Sequence, residues 1–257
     1  MGNFLIVSKA DKLEEYQKIA KEYGVSYEIN DFFMPALLDD EKKQEEVIQM
    51  YVKSGIPHGS TMHGAFFDIA VFSQDEKIRD VSYLRMQQSM QIAEKLGVKG
   101  VVFHTNHNPY LSSSVYKEHL MATTADYVAK LLEQYPNIEI YIENMFDTTP
   151  DVLHGISRCL EGYKNYGVCL DWAHVNVYGH EKEAWIDSLG AYVKHMHIND
   201  NDLKDDLHLP LGNGKINWEQ FFEYYKKYFK DCSVLVETTE PFAQRKSLEY
   251  IKNIGIR

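Results

Sequence analysis

Short runs of β-branched, aromatic and aliphatic residues alternate along the chain with longer stretches whose apolar positions recur at helical spacing. The short runs predict strands at Phe4 to Ser8, Val25 to Asn30, Ser60 to His63, Gly100 to His104, Ile138 to Glu143, Gly167 to Asp171, Val193 to Ile198 and Ser233 to Glu237. Between and after them the spacing predicts helices near Asp11 to Tyr23, Asp40 to Lys53, Asp75 to Leu96, Ser113 to Gln134, Thr149 to Glu161, Lys182 to Leu189, Trp218 to Phe229 and Pro241 to Ile251. Asp75 and Ser113 suit N-caps, Pro150 and Pro241 a first helical turn, and Gly97 a helix end. Eight such units average about 32 residues each, the allocation of a (β/α)8 TIM barrel, with an open doubly wound sheet as the alternative. No linker or low-complexity segment interrupts the pattern, so residues 1–257 are expected to form one domain.

The strands share a feature that core packing does not explain. Each of the last six carries a metal-competent side chain at or beside its carboxyl end: His63, His104, Glu143, Asp171, His197 and Glu237. His174 follows in the loop after Asp171, and Asp206 and His208 in the loop after His197. In an open sheet, strands at about 4.8 Å spacing would spread six such groups over roughly 24 Å. A barrel gathers its strand ends on one face, where its active sites lie, so the ligand pattern favours closure. Imidazole nitrogens and carboxylates together suit Zn²⁺, Mn²⁺ or Fe²⁺ rather than Ca²⁺. Four carboxylates converging there without a cation would repel one another, and two divalent ions would neutralise them.

Composition narrows the classes further. The chain of 257 residues is 44% hydrophobic and 25% charged, which excludes disordered and fibrous proteins. No apolar run is long enough for a membrane span, and the stretch from Met1 to Lys9 reads as a strand and polar turn rather than a signal peptide, so a cytoplasmic location is expected. A formal charge of −11 weighs against non-specific binding to nucleic acid or anionic membrane. Cys159, Cys169 and Cys232 lack ligand-like spacing, and each is expected to pack as a small buried hydrophobe. Of the remaining histidines, His58, His107, His119, His154, His180 and His195 fit no ligand position, with His107 and His195 the nearest to exceptions.

At these residues the sequence resembles the xylose isomerase-like TIM barrel superfamily, which includes sugar phosphate isomerases and epimerases and the endonuclease IV type of AP endonuclease. The likeness runs over nearly the whole chain and is carried by Met62-His63-Gly64-Ala65-Phe66, Val102-Phe103-His104, Ile142-Glu143-Asn144, the run from Gly167 to His174, His197-Ile198-Asn199-Asp200, the run from Asp206 to Gly214, and Val236-Glu237-Thr238. In the isomerase branch, the resemblance implies one divalent ion, commonly Mn²⁺, on Glu143, Asp171, His197 and Glu237, with Glu143 and Glu237 also moving protons. In the endonuclease branch it implies a cluster of three Zn²⁺ ions on all nine positions. One to three ions per chain are therefore expected. This chain departs from the endonuclease pattern in having Trp172 and Ala173 between Asp171 and His174, and Phe66, Phe67 and Asp68 after His63. Bases in its loops are few: Lys9, Lys12, Lys204, Lys215 and Arg245.

A phosphodiester binder needs phosphate-neutralising side chains, so that scarcity makes a DNA track an unfavoured reading. Phe32, Phe33, Phe66, Phe67, Phe72, Tyr110, Phe146, Trp172 and Tyr178 fall in loops on the expected active face. Aromatic walls of this kind suit a small carbohydrate, with Trp172, Phe66 and Phe146 as candidate substrate contacts. The segment from Asn199 to Lys215 is expected to fold over the site as a lid. The resulting expectation is a metal-dependent isomerase or epimerase that moves a proton through an enediolate by way of Glu143 and Glu237. An endonuclease IV-like phosphodiesterase is the alternative, a non-catalytic sugar-binding barrel is a third class, and a homo-oligomer is compatible with all three.

Overall fold

The computed structural model describes residues 3–255. Residues 1–2 and 256–257, which the single-domain expectation includes and the first of which begin the stretch read as lacking a signal peptide, lie outside them. Eight parallel strands close in sequence order: β1 Phe4–Ser8, β2 Ser26–Ile29, β3 Thr61–His63, β4 Gly100–His104, β5 Glu139–Glu143, β6 Tyr166–Asp171, β7 Val193–Ile198 and β8 Ser233–Val236, with β8 pairing back onto β1. The open sheet is thereby excluded. Among the described residues ten α-helices accompany them: α1 Leu13–Tyr23, α2 Pro35–Leu38, α3 Glu41–Ser54, α4 Glu76–Leu96, α5 Ser114–Gln134, α6 Asp151–Leu160, α7 Trp172–Val177, α8 Lys182–Leu189, α9 Trp218–Tyr224 and α10 Pro241–Asn253.

The start and stop signals are mostly used as expected. Asp75 accepts from the Lys77 amide at the head of α4, and Gly97 ends that helix at φ +66°, a conformation that costs glycine little. Ser113 occupies the N-cap position of α5 without a capping side-chain bond, and Pro150 precedes α6 rather than opening it. Two short helices, α2 and α7, have too few residues to register as a periodic pattern.

The main apolar core lies between strands and helices, where alternate strand residues such as Ile6, Phe103, Leu170 and Val234 meet Ile19, Met90, Leu131 and Phe221. The opposite strand parity points into the barrel. There Leu5, Val7 and Leu235 form one small cluster, and Val102, Tyr141 and Cys169 another. Beside β6, strand β7 takes up one extra residue at Lys194, after which Cys169 faces His195 and Asp171 faces His197. Cys169 and Cys232 are buried, but Cys159 is exposed, contrary to expectation. The buried stripe of α6 runs through Val152, Leu153, Ile156 and Leu160, and position 159 falls on its outer face.

Candidate metal centre

The closed barrel brings all nine expected ligands to the C-terminal ends of its strands. Glu143, at the end of β5, is 1% exposed and central. Its Oε2 lies 3.4 Å from His104 Nε2, 3.7 Å from His63 Nε2 and 3.4 Å from His197 Nδ1. His63, His104 and Glu143 present ligand atoms within 4.8 Å of one another, and so do Glu143, Asp171 and His197. Glu237 joins from the end of β8, with Oε1 3.8 Å from the same His197 Nδ1. Across the opening, Asp206 Oδ2 lies 3.3 Å from His174 Nε2 and 2.9 Å from His208 Nε2.

Main-chain carbonyls decide which imidazole nitrogen faces the centre. Nδ1 of His63 donates to Gly64 O at 3.0 Å, Nδ1 of His174 to Asn144 O at 2.8 Å, and Nδ1 of His208 to Glu237 O at 2.9 Å. A carbonyl can only accept, so each neutral ring carries its proton on Nδ1 and turns the Nε2 lone pair inward. His63 Nε2 then meets His104 Nε2 at 3.1 Å. Two nitrogens on one tetrahedral Zn²⁺ would be about 3.3 Å apart. His174 and His208 turn their lone pairs toward a carboxylate oxygen, which is repulsive unless a proton or a cation lies between.

Several buried atoms are without hydrogen-bond partners: Glu143 Oε2, Asp171 Oδ2, His197 Nδ1 and Asp206 Oδ1. Orphans of this kind are costly in a finished core and ordinary in a ligand set. Asp171 divides its labour, since Oδ1 caps α7 by accepting from the His174 amide while Oδ2 faces the centre. The charges fit a cation too. Burial pushes Asp171 up to about 8, with Glu237 and Glu143 adding to the rise, although His174 opposes it. Burial also pushes Glu143 upward, but His197 and His104 outweigh it and hold the carboxylate well below its usual range. The donor set is consistent with a divalent metal ion, and Glu143 Oε2 is the atom that three of the imidazoles approach.

Three further residues support the centre, none of them expected there from sequence, although Asn144 and Asp200 fall within runs that carry the family likeness. Glu28 on β2 is fully buried inside the barrel, accepts from Thr61 Oγ1 at 2.7 Å, and lies 3.1 Å from His195 Nε2 and 3.2 Å from His197 Nε2. Asn144 grips the main chain of Asp171 at both ends, donating to its carbonyl at 3.0 Å and accepting from its amide at 2.9 Å. Asp200 organises the loop after β7: Oδ1 accepts from the Asn201 and Ile216 amides, and Oδ2 from the Gly212 amide and Trp218 Nε1. A Cβ at Gly214 would lie 2.2 Å from Asn201 O, so this loop admits only glycine there. It carries Asp206 and His208 back to the centre, with His208 at φ +47°. Non-glycine residues in that region are strained and concentrate at functional sites.

The aromatic residues divide. Phe66 stands over the centre, its ring 4.9 Å from that of His104, and helps line a cavity of about 870 Å³ with Phe67, Asp68, Lys77 and Phe146. Phe146 also lines a second cavity of about 720 Å³ with His107, Tyr110 and Tyr178. Trp172 does not line a wall. Following the inward Asp171 at the first turn of α7, it is rotated outward into the helix layer, 1% exposed, against Phe221 and Tyr224. Phe32 is likewise fully buried. Of the histidines outside the ligand set, His195 is buried beneath His197, and Ser233 Oγ lies 2.7 Å from its Nδ1.

Residues 17–254 match the family described as xylose isomerase-like TIM barrel. The chain belongs to that family. This xylose isomerase-like barrel superimposes on the TTHB071 protein of Thermus thermophilus, from a study soaking it with ZnCl₂, with a TM-score of 0.80 at 19% identity, covering 99% of this chain and 100% of that one. A D-tagatose 3-epimerase-like protein gives a TM-score of 0.78 at 24% identity, covering 98% and 96%. An uncharacterized protein of Methanocaldococcus jannaschii is 28% identical over 201 residues, 74% of this chain and 68% of its own. Among the described residues no helix is long and apolar enough to cross a membrane.

Proposed function

We propose that this barrel is a metal-dependent isomerase or epimerase acting at a carbon beside the carbonyl of a small sugar. The observation that carries the reading is the convergence of two carboxylates from distant parts of the sequence, Glu143 and Glu237, on one imidazole nitrogen, His197 Nδ1, at 3.4 and 3.8 Å. Glu143, Asp171, His197 and Glu237 would hold a divalent ion, Mn²⁺ or Zn²⁺. When bound, that ion supplies Lewis-acid polarisation of the substrate carbonyl and compensates the negative charge that proton removal creates. One of Glu143 and Glu237 takes the proton and the other returns it. Asp171 and His197 orient. Phe66 and Phe146 offer apolar surface to the sugar's C–H faces, and the small number of bases at the rim agrees with an uncharged carbohydrate.

Solvent deuterium incorporation into candidate ketoses tests this reading. Glu143→Gln and Glu237→Gln should each abolish it with the fold intact by circular dichroism. Exchange persisting in both variants would overturn the assignment.

A phosphodiesterase of endonuclease IV type is the second reading, favoured by one observation: the His63 and His104 pair and the His174, Asp206 and His208 corner complete a set that can hold more than one ion. Cleavage of an abasic duplex at low salt, lost in His104→Ala, would move the assignment there.

A further inference from the structure

We infer that the cavity between the loops after β4 and β5 is a binding subsite for a second, uncharged sugar ring, so that the substrate is a glycoside rather than a free or phosphorylated monosaccharide. This rests on the sugar reading above and gives its substrate class. The key residue is His107, just beyond β4 and 6% exposed. Its Nδ1 lies 3.0 Å from Asp147 Oδ1. Asp147 is 2% exposed and anchored through Oδ2, which accepts from Thr105 Oγ1 at 2.7 Å and from the Met145 amide at 3.1 Å. The carboxylate accepts from Nδ1–H, which leaves Nε2 as the ring's remaining polar atom. That nitrogen is buried and has no partner among the described residues.

The ring lines the cavity of about 720 Å³, together with Asn106, Tyr110, Phe146 and Tyr178. Phe146 and Tyr178 meet edge to face at 5.3 Å, and Tyr178 stands 5.9 Å from the expected ligand His174, so the cavity lies beside the candidate metal centre. At its outer end Tyr110 is 92% exposed, an aromatic ring with nothing packed on it. Aromatic faces stack against the C–H faces of a pyranose, and a sugar hydroxyl, which can donate or accept, suits the unpartnered Nε2 of His107. Among the described residues no lysine or arginine lines the cavity. None of the nine expected ligands lines it either, so it receives a group attached to the reacting sugar rather than the reacting carbons.

Four probes that share a fructose unit separate the possibilities: D-fructose, its glucosides isomaltulose and maltulose, and D-fructose 6-phosphate. Calorimetric titration of the metal-loaded protein should find at least one glucoside binding tenfold or more tighter than D-fructose, and the phosphate no tighter than D-fructose. His107→Ala should erase the glucoside's advantage and leave D-fructose binding unchanged. Tyr110→Ala, a change on the open surface that leaves folding alone, should reduce the same advantage severalfold. Equal affinity for glucosides and D-fructose, a glucoside advantage that survives both variants, or tightest binding by the phosphate overturns the inference and leaves the sugar reading standing. Binding of none of the probes overturns the sugar reading itself, and the subsite with it.

Discussion

Glu28 Oε1 lies 3.2 Å from His197 Nε2 at the floor of the metal centre, while the other nitrogen of that ring faces Glu143 and Glu237. If His197 holds a metal ion, a buried carboxylate behind its ring raises the basicity of the imidazole. Burial alone would push Glu28 up, but His197 and His195 outweigh it and keep the carboxylate ionised.

Replacing that charge is the most direct test of its role. Glu28→Gln should weaken metal binding about 10- to 100-fold, the usual cost of losing such a partner. Competition against a chromophoric chelator measures it. An unchanged affinity in a folded variant would mean that Glu28 only fills the barrel.

Glu143 Oε2 faces three imidazoles, whereas His208 stands at the rim with 38% of its side chain exposed. Elemental analysis should therefore show Glu143→Gln losing more than one ion per chain if the protein carries two or three. His208→Ala should lose at most one. Equal losses would contradict the shared position of Glu143.

The rim histidine also sets a pH dependence for the metal-free protein. Burial lowers its affinity for a proton, but Glu237 and Asp206 outweigh this and raise His208 from 6.5 to about 10. The folded state thus holds this proton more tightly than the unfolded chain. Its contribution to stability is complete below about pH 6.5 and is lost as the pH rises toward 10. The melting temperature of the chelated protein should fall across that window, and His208→Asn should flatten the fall. A melting temperature that rose with pH only in the wild type would reverse the sign and refute the ion-pair account.

Asp200 concentrates four hydrogen bonds on one buried carboxylate. Asp200→Ala leaves those donors unsatisfied and should destabilise the protein by about 3–5 kcal/mol. Denaturant unfolding gives the number. Because the same loop carries Asp206 and His208, the variant should also weaken metal binding, read by competition against a chelator.

Much of this arrangement is legible in the sequence because strand ends and loops are where chemistry departs from packing. Glu143 and Glu237 each terminate a largely apolar run, and only closure of the sheet makes sense of them together with His63. Glu28 escapes notice for a physical reason: in Val25-Ser26-Tyr27-Glu28-Ile29-Asn30, alternation with polar residues reads as one wet face, whereas a barrel buries both parities. Trp172 is misplaced by sequence because adjacency to Asp171 says nothing about direction once a helix starts between them. Asp147 and Asp200 act through main-chain amides, and such loop closures leave no periodic trace.

The locks on His63, His174 and His208 are made by the carbonyls of Gly64, Asn144 and Glu237, atoms that every amino acid possesses. The aim of these imidazoles is therefore written in the path of the backbone rather than in the identity of their neighbours. A replacement at Gly64, Asn144 or Glu237 leaves the carbonyl that holds each ring in place, so long as the backbone keeps its path.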